Sequence, residues 1–67
     1  MGIVVKFVSS FQDGNTTYVV AVDEDGFIHF ESRWSDADGT LQGDEIVFSD
    51  SATFDLMRAL KSALSIV

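Results

Sequence analysis

Hydrophobic residues recur at every second position as far as Phe48 and at helical spacing after it, which leaves a small sheet followed by one helix. The first run, Ile3 to Val8 and at most to Phe11, is β-branched and aromatic. It stops at Gln12-Asp13-Gly14-Asn15, whose Asp-Gly step marks a hairpin. Thr16 to Val22 follows and ends at Asp23-Glu24-Asp25-Gly26, a second tight turn. A third strand runs from Phe27 to Trp34. A polar connection from Ser35 to Asp44, with glycines at 39 and 43, leads to a fourth, Glu45 to Phe48. Beyond it Leu56, Met57, Leu60, Ala63, Leu64 and Val67 form one helical stripe, with Asp55, Arg58, Ser62 and Ser65 mainly opposite. Asp50 or Ser51 is placed to cap this helix through a short side-chain oxygen.

The expected fold is therefore α+β: a four-stranded antiparallel meander with one C-terminal helix packed on one face, a single domain over residues 1–67. Alternation puts Ile3, Val5 and Phe7, then Tyr18, Val20 and Val22, then Ile28, Phe30 and Trp34, then Ile46 and Phe48 beneath the helix. The other parity carries Val4, Lys6, Val8, Val19, Ala21, Phe27, His29, Glu31, Arg33 and Val47, a partly apolar face that one helix cannot also cover. Such a face is a contact surface for a partner, or for a second copy in a homodimer; β-propensity alone also accounts for its valines.

A chain of 67 residues lies where one core supplies about 3–5 kcal/mol, and cysteine is absent, so no disulfide adds to it. The same absence removes thiolate metal ligands and thiol nucleophiles and fits a reducing compartment. No run approaches the roughly 18 apolar residues of a membrane span. Met1 to Lys6 lacks a basic leader region and a cleavage site, so a cytoplasmic protein without a membrane partner is expected.

Charge narrows the partners. Eleven acidic residues stand against four basic ones, for a net charge of -7. Polyanion binding is driven by Lys and Arg, which makes direct nucleic-acid binding a poor fit and a basic protein surface a better one. Nine of the acids fall in expected turns or at element ends. Meander topology groups Asp13, Asp36, Asp38, Asp44 and Glu45 at one end of the sheet, and Asp23, Glu24, Asp25 and Asp50 at the other, roughly 20 Å away. Two spaced carboxylate groups can imitate phosphates in a basic groove. A solubilising or salt-adapted surface would have the same composition, with Asp outnumbering Glu eight to three.

Residues 34–45 partly match a calcium-binding loop, with Asp36, Asp38, Gly39 and Glu45 in register, but Trp34 occupies the first ligand position and strands flank the loop. No metal or cofactor is expected. Catalysis needs converging groups, and His29, the only histidine, has just Glu31 beside it on its face. The chain is read as a non-enzyme.

The junction Glu45-Ile46-Val47-Phe48-Ser49-Asp50-Ser51-Ala52-Thr53-Phe54-Asp55-Leu56-Met57 is similar to the last strand, polar cap and aromatic-led helix of the single-stranded-DNA-binding domain of the transcriptional coactivator family. The resemblance implies a nucleic-acid-binding sheet face, which here would use Lys6, Arg33, Phe27 and His29. Small acidic domains of this kind also resemble the antagonists that phages direct against host nucleases and defence complexes. The reading that follows is a non-catalytic, stoichiometric inhibitor or regulator of a nucleic-acid-handling protein. Its expected contact residues are Asp13, Asp23, Glu24, Asp25, Asp36, Asp38, Asp44, Glu45, Val19, Phe27 and His29. The alternatives are a coactivator-like single-stranded nucleic-acid binder and a structural homodimer.

Overall fold

The computed structural model describes residues 4–67, and side chains from residue 6 onward. Strands β1 (Val4–Asp13), β2 (Thr16–Asp23), β3 (Ile28–Ser35) and β4 (Leu41–Phe48) precede helix α1 (Asp50–Ile66). The strands pair in the order β1-β2-β3-β4, every pair antiparallel. The α+β meander is thus as expected. The proposed start of the first strand at Ile3 and the facing of Ile3, Val4 and Val5 lie outside what is described.

Pairing fixes the faces of β2, β3 and β4 as alternation indicates. Val20 is opposite Phe30, which is opposite Ile46, and Val22 is opposite Ile28, which is opposite Phe48. On the other face Ala21 is opposite His29, which is opposite Val47. β1 departs from the expectation. Its register slips between Val4 and Lys6 and again between Phe7 and Ser9, so two β-bulges each insert a residue and reverse the parity. Phe7 consequently pairs with Ala21, on the His29 face, and Lys6 pairs with Val22, on the Phe30 face. Phe11 takes the place expected for Phe7: its ring stacks on Tyr18 at 5.2 Å, and Tyr18 stacks on Phe30 at 5.6 Å.

The Ser35–Asp44 connection is shorter than expected. β4 already begins at Leu41, because Gln42, Gly43 and Asp44 pair with Trp34, Arg33 and Ser32 despite their polarity. Gly43 fits there since an added Cβ would stand 3.2 Å from the Ser32 carbonyl oxygen. The helix cap is Ser49, one residue before the expected pair; its side chain accepts a hydrogen bond from the Ala52 amide at 3.2 Å.

The helix is not packed across the sheet. It leaves β4 through Ser49 alone. Its contacts with the sheet fall mainly on β4, Thr53, Phe54 and Met57 of its first turns line one hollow with Ile28, and none of its residues is buried. The stripe read from the sequence is present but uncovered, with Leu60 55% exposed. The molecule is a slab of 38 × 37 × 16 Å. Among the described residues no helix is long and apolar enough to cross a membrane.

Candidate partner-binding surface

Two of the three turns are built alike. Asp23-Glu24-Asp25-Gly26 and Asp36-Ala37-Asp38-Gly39 share the order Asp-x-Asp-Gly and the same bonding. In the first, Asp23 Oδ1 accepts from the amides of Asp25 at 2.9 Å and Phe27 at 3.0 Å. In the second, Asp36 Oδ1 accepts from Asp38 at 2.9 Å and Thr40 at 3.0 Å. Each turn closes on a glycine amide donating to the first aspartate's carbonyl, at 3.1 Å for Gly26 and 3.0 Å for Gly39. Those glycines have φ of 85° and 80°, in the left-handed region that a side chain disfavours.

This repeat divides the acids by role. The leading aspartate of each turn folds the loop, and the second projects into water. Asp36 also accepts from Gln42 Nε2 at 3.0 Å, and that bond with the two amides holds its carboxyl below the usual range. Its oxygens are therefore committed to its own loop, and Glu45 points elsewhere, so the partial calcium-loop match does not assemble as a ligand set.

Asp23 is more deeply committed. It is 5% exposed, and its second oxygen accepts from His29 Nε2 at 2.8 Å. His29 is 8% exposed, and its other nitrogen, Nδ1, lies 3.1 Å from Glu45 Oε2. Each ring nitrogen thus faces a carboxylate, an arrangement that favours the protonated ring. The His29 bond, helped by the Phe27 and Asp25 amides, lowers the Asp23 carboxyl against the opposing effect of burial. Asp23 first, then Glu45, raises the His29 imidazole, again against burial. The triad ties the end of β2 to β3 and β4.

The expected contact residues accordingly separate. Asp23 and His29 are interior, Val19 is half-buried, and Asp44 and Glu45 lie within β4, not in the turn cluster. Asp13 and Asp38 are exposed at one end of the sheet, and Glu24 and Asp25 at the other. At that second end Asp25, Gly26, Phe27, Ser49 and Asp50 line one shallow depression, with Phe27 42% exposed in it. Among the described residues, ion pairs involve Asp23 and Glu45 with His29, Glu31 with Arg33, and Asp55 with Arg58; Glu24, Asp25 and Asp50 are in none. The basic groups of the coactivator-like reading do not converge. Arg33 binds Glu31 Oε2 through Nη2 at 2.6 Å on the His29 face, whereas Lys6 is in register with Val22 of the other.

The equivalence of the two turns was legible as a repeated Asp-x-Asp-Gly spacing, which marks the aspartates that fold the loop. No protein-family model, curated protein or solved structure matches the chain.

Proposed function

We propose that the chain is a non-catalytic protein-binding module that docks on a basic surface through the end of the sheet bearing Glu24, Asp25, Asp50 and Phe27. The observation that carries this reading is the shared depression of Asp25, Phe27 and Asp50. Carboxylates without an internal cation, beside an accessible aromatic ring, suit a Lys or Arg side chain, which gains charge pairing and a cation–π contact together. The second Asp-x-Asp-Gly turn presents Asp38 at the far end of β3, roughly 25 Å away along an eight-residue strand. Two rigid acidic points at a fixed spacing favour a groove built for a phosphate backbone, hence a nucleic-acid-handling partner that the module inhibits or regulates. A cytoplasmic setting suits a chain without cysteine.

Non-catalytic action is supported by the state of His29. Both ring nitrogens are engaged by the chain's own carboxylates and the ring is buried, so neither nitrogen is free to meet a substrate. The test is capture from a nuclease-treated host lysate, eluted with rising salt and identified by mass spectrometry, in parallel with a Glu24→Gln, Asp25→Asn variant. A nucleic-acid-handling protein retained by the parent and lost by the variant supports the reading. Retention by both, or tight binding of single-stranded DNA by the parent at low salt, overturns it.

A further inference from the structure

The described residues leave the face of the sheet that alternation assigns to the interior largely uncovered. Tyr18, Val20, Phe30 and Phe48 are half-buried, Ile46 is 54% exposed, and among the described residues no side chain is fully buried. The helix stripe of Phe54, Met57, Leu60 and Leu64 is equally open. One sheet layer and an outlying helix do not make the two packed layers a stable domain requires.

The deficit can be sized. The chain exposes 5324 Å², against about 4,200 Å² for a compact monomer of its mass. Its radius of gyration is 13.8 Å, where about 11 Å is usual for this length. The excess surface, about 1,100 Å² per chain or about 2,200 Å² for two, lies in the range of obligate homodimers.

Charge and length indicate what fills it. The sheet portion up to Ser49 holds nine acidic residues against Lys6 and Arg33, whereas residues 50–67 hold two of each sign. Past Asp55 the helix carries only the cations Arg58 and Lys61, which border the groove formed with Phe54 and Met57. Tyr18, Val20, Phe30, Ile46 and Phe48 form the uncharged centre of the aromatic face, with Lys6, opposite Val22, and Asp44, opposite Ser32, beyond them, so two negatively charged copies can meet there without opposing like charges at its centre. A 17-residue helix is about 25 Å long, and an eight-residue strand about 27 Å. A two-fold axis brings each helix to the other copy's sheet and covers both open surfaces in one operation. A foreign partner would have to cover each separately.

We propose that two copies of this chain form a symmetric dimer in which α1 of each lies across the Tyr18–Phe30–Ile46 face of the other's sheet. Sedimentation equilibrium of the full chain over a wide concentration range tests the assembly. The expected mass is twice 7.3 kDa, with a melting temperature that rises with concentration. Leu60→Asp, harmless on a helix facing water, should shift the equilibrium to monomer and lower the melting temperature. If that variant fails to fold, mixed labelling of the parent sequence still decides. A spin label on Ser65→Cys in unlabelled chains should broaden the amides around Phe30 and Ile46 in isotope-labelled, spin-free partners. A monomer at every concentration with one melting temperature overturns the proposal, as does a dimer indifferent to Leu60→Asp or without broadening between copies. Glu24 and Asp25 lie outside this interface, so their neutralisation leaves the dimer mass unchanged even if partner binding is lost.

Discussion

His29 Nε2 stands 2.8 Å from Asp23 Oδ2, joining the aspartate that folds a turn to the middle of the sheet. Because Asp23 also holds the amides of Asp25 and Phe27, one carboxylate fixes the turn and the strand pairing together.

Stability should therefore depend on pH in two separate limbs. His29 is raised above its ordinary value of about 6.5, so its contribution is complete below that pH and lost as pH rises through the raised value. Asp23 is lowered from its ordinary value of about 3.9, so its contribution is complete above that pH and lost as pH falls through the lowered value. Thermal melts should show a plateau from about pH 4 to 6.5, with losses on either side. His29→Gln should flatten the alkaline limb, whereas Asp36→Asn should alter only the acid one. An alkaline limb unchanged in His29→Gln would show that the imidazolium does not hold the strands.

The two Asp-x-Asp-Gly turns make a matched pair for substitution. An added Cβ at Gly26 or Gly39 meets nothing within 4 Å, so alanine there costs only the left-handed backbone strain. Gly26→Ala and Gly39→Ala should each lower unfolding free energy by about 1–2 kcal/mol, and by similar amounts. Urea titration at pH 6 reads both. A neutral result at either position would mean that its turn relaxes to another form.

Much of this architecture is legible in the amino-acid sequence, and the exceptions have specific causes. Tyr18, Val20, Phe30, Ile46 and Phe48 share the face that alternation gives them, because β2, β3 and β4 pair without interruption. Phe7 does not, since each bulge in β1 consumes one residue and alternation has no mark for it. Gln42-Gly43-Asp44 reads as loop by composition but is strand by pairing with Arg33 and its neighbours. The helix stripe was visible in its period, which shows that a face is apolar without showing which molecule covers it. For the contact residues, Asp23 and Asp36 look like Asp25 and Asp38 in composition and differ only in their place within the turn.

Ser49 rather than Asp50 or Ser51 caps α1, and substitution separates them. Ser49→Ala removes the acceptor for the Ala52 amide and should cost about 1 kcal/mol. Ser51→Ala leaves that bond intact and should be close to neutral. Denaturation curves that reverse this order would move the start of the helix.

Phe30 and Leu60 belong to one core in the sequence pattern but to different environments in the fold. Phe30 stacks on Tyr18 within its own sheet, so Phe30→Ala should already cost about 2–3 kcal/mol in dilute solution, less than for a fully buried ring, and more once the dimer forms. Leu60 is exposed within the chain, so Leu60→Ala should cost little in dilute solution and more as concentration, and hence dimer, increases. Equal costs at every concentration would place Leu60 in an internal core.

The partner surface can be tested by comparing the two ends of the sheet. Glu24→Gln with Asp25→Asn removes two outward charges while Asp23 keeps its bonds to the turn amides, so the fold should persist. Asp38→Asn with Asp13→Asn removes two from the other end and spares Asp36. Charge steers the encounter more than it holds the complex. The pair that faces a basic groove should therefore slow association with the captured partner by about tenfold at low salt and flatten its salt dependence, with little change in dissociation. Phe27→Ala should instead speed dissociation, because it removes the ring from the depression shared with Asp25 and Asp50. Stopped-flow kinetics at several salt concentrations distinguishes the two effects. If the Glu24–Asp25 pair and Phe27 both leave the rates unchanged, the module does not dock through this end of the sheet.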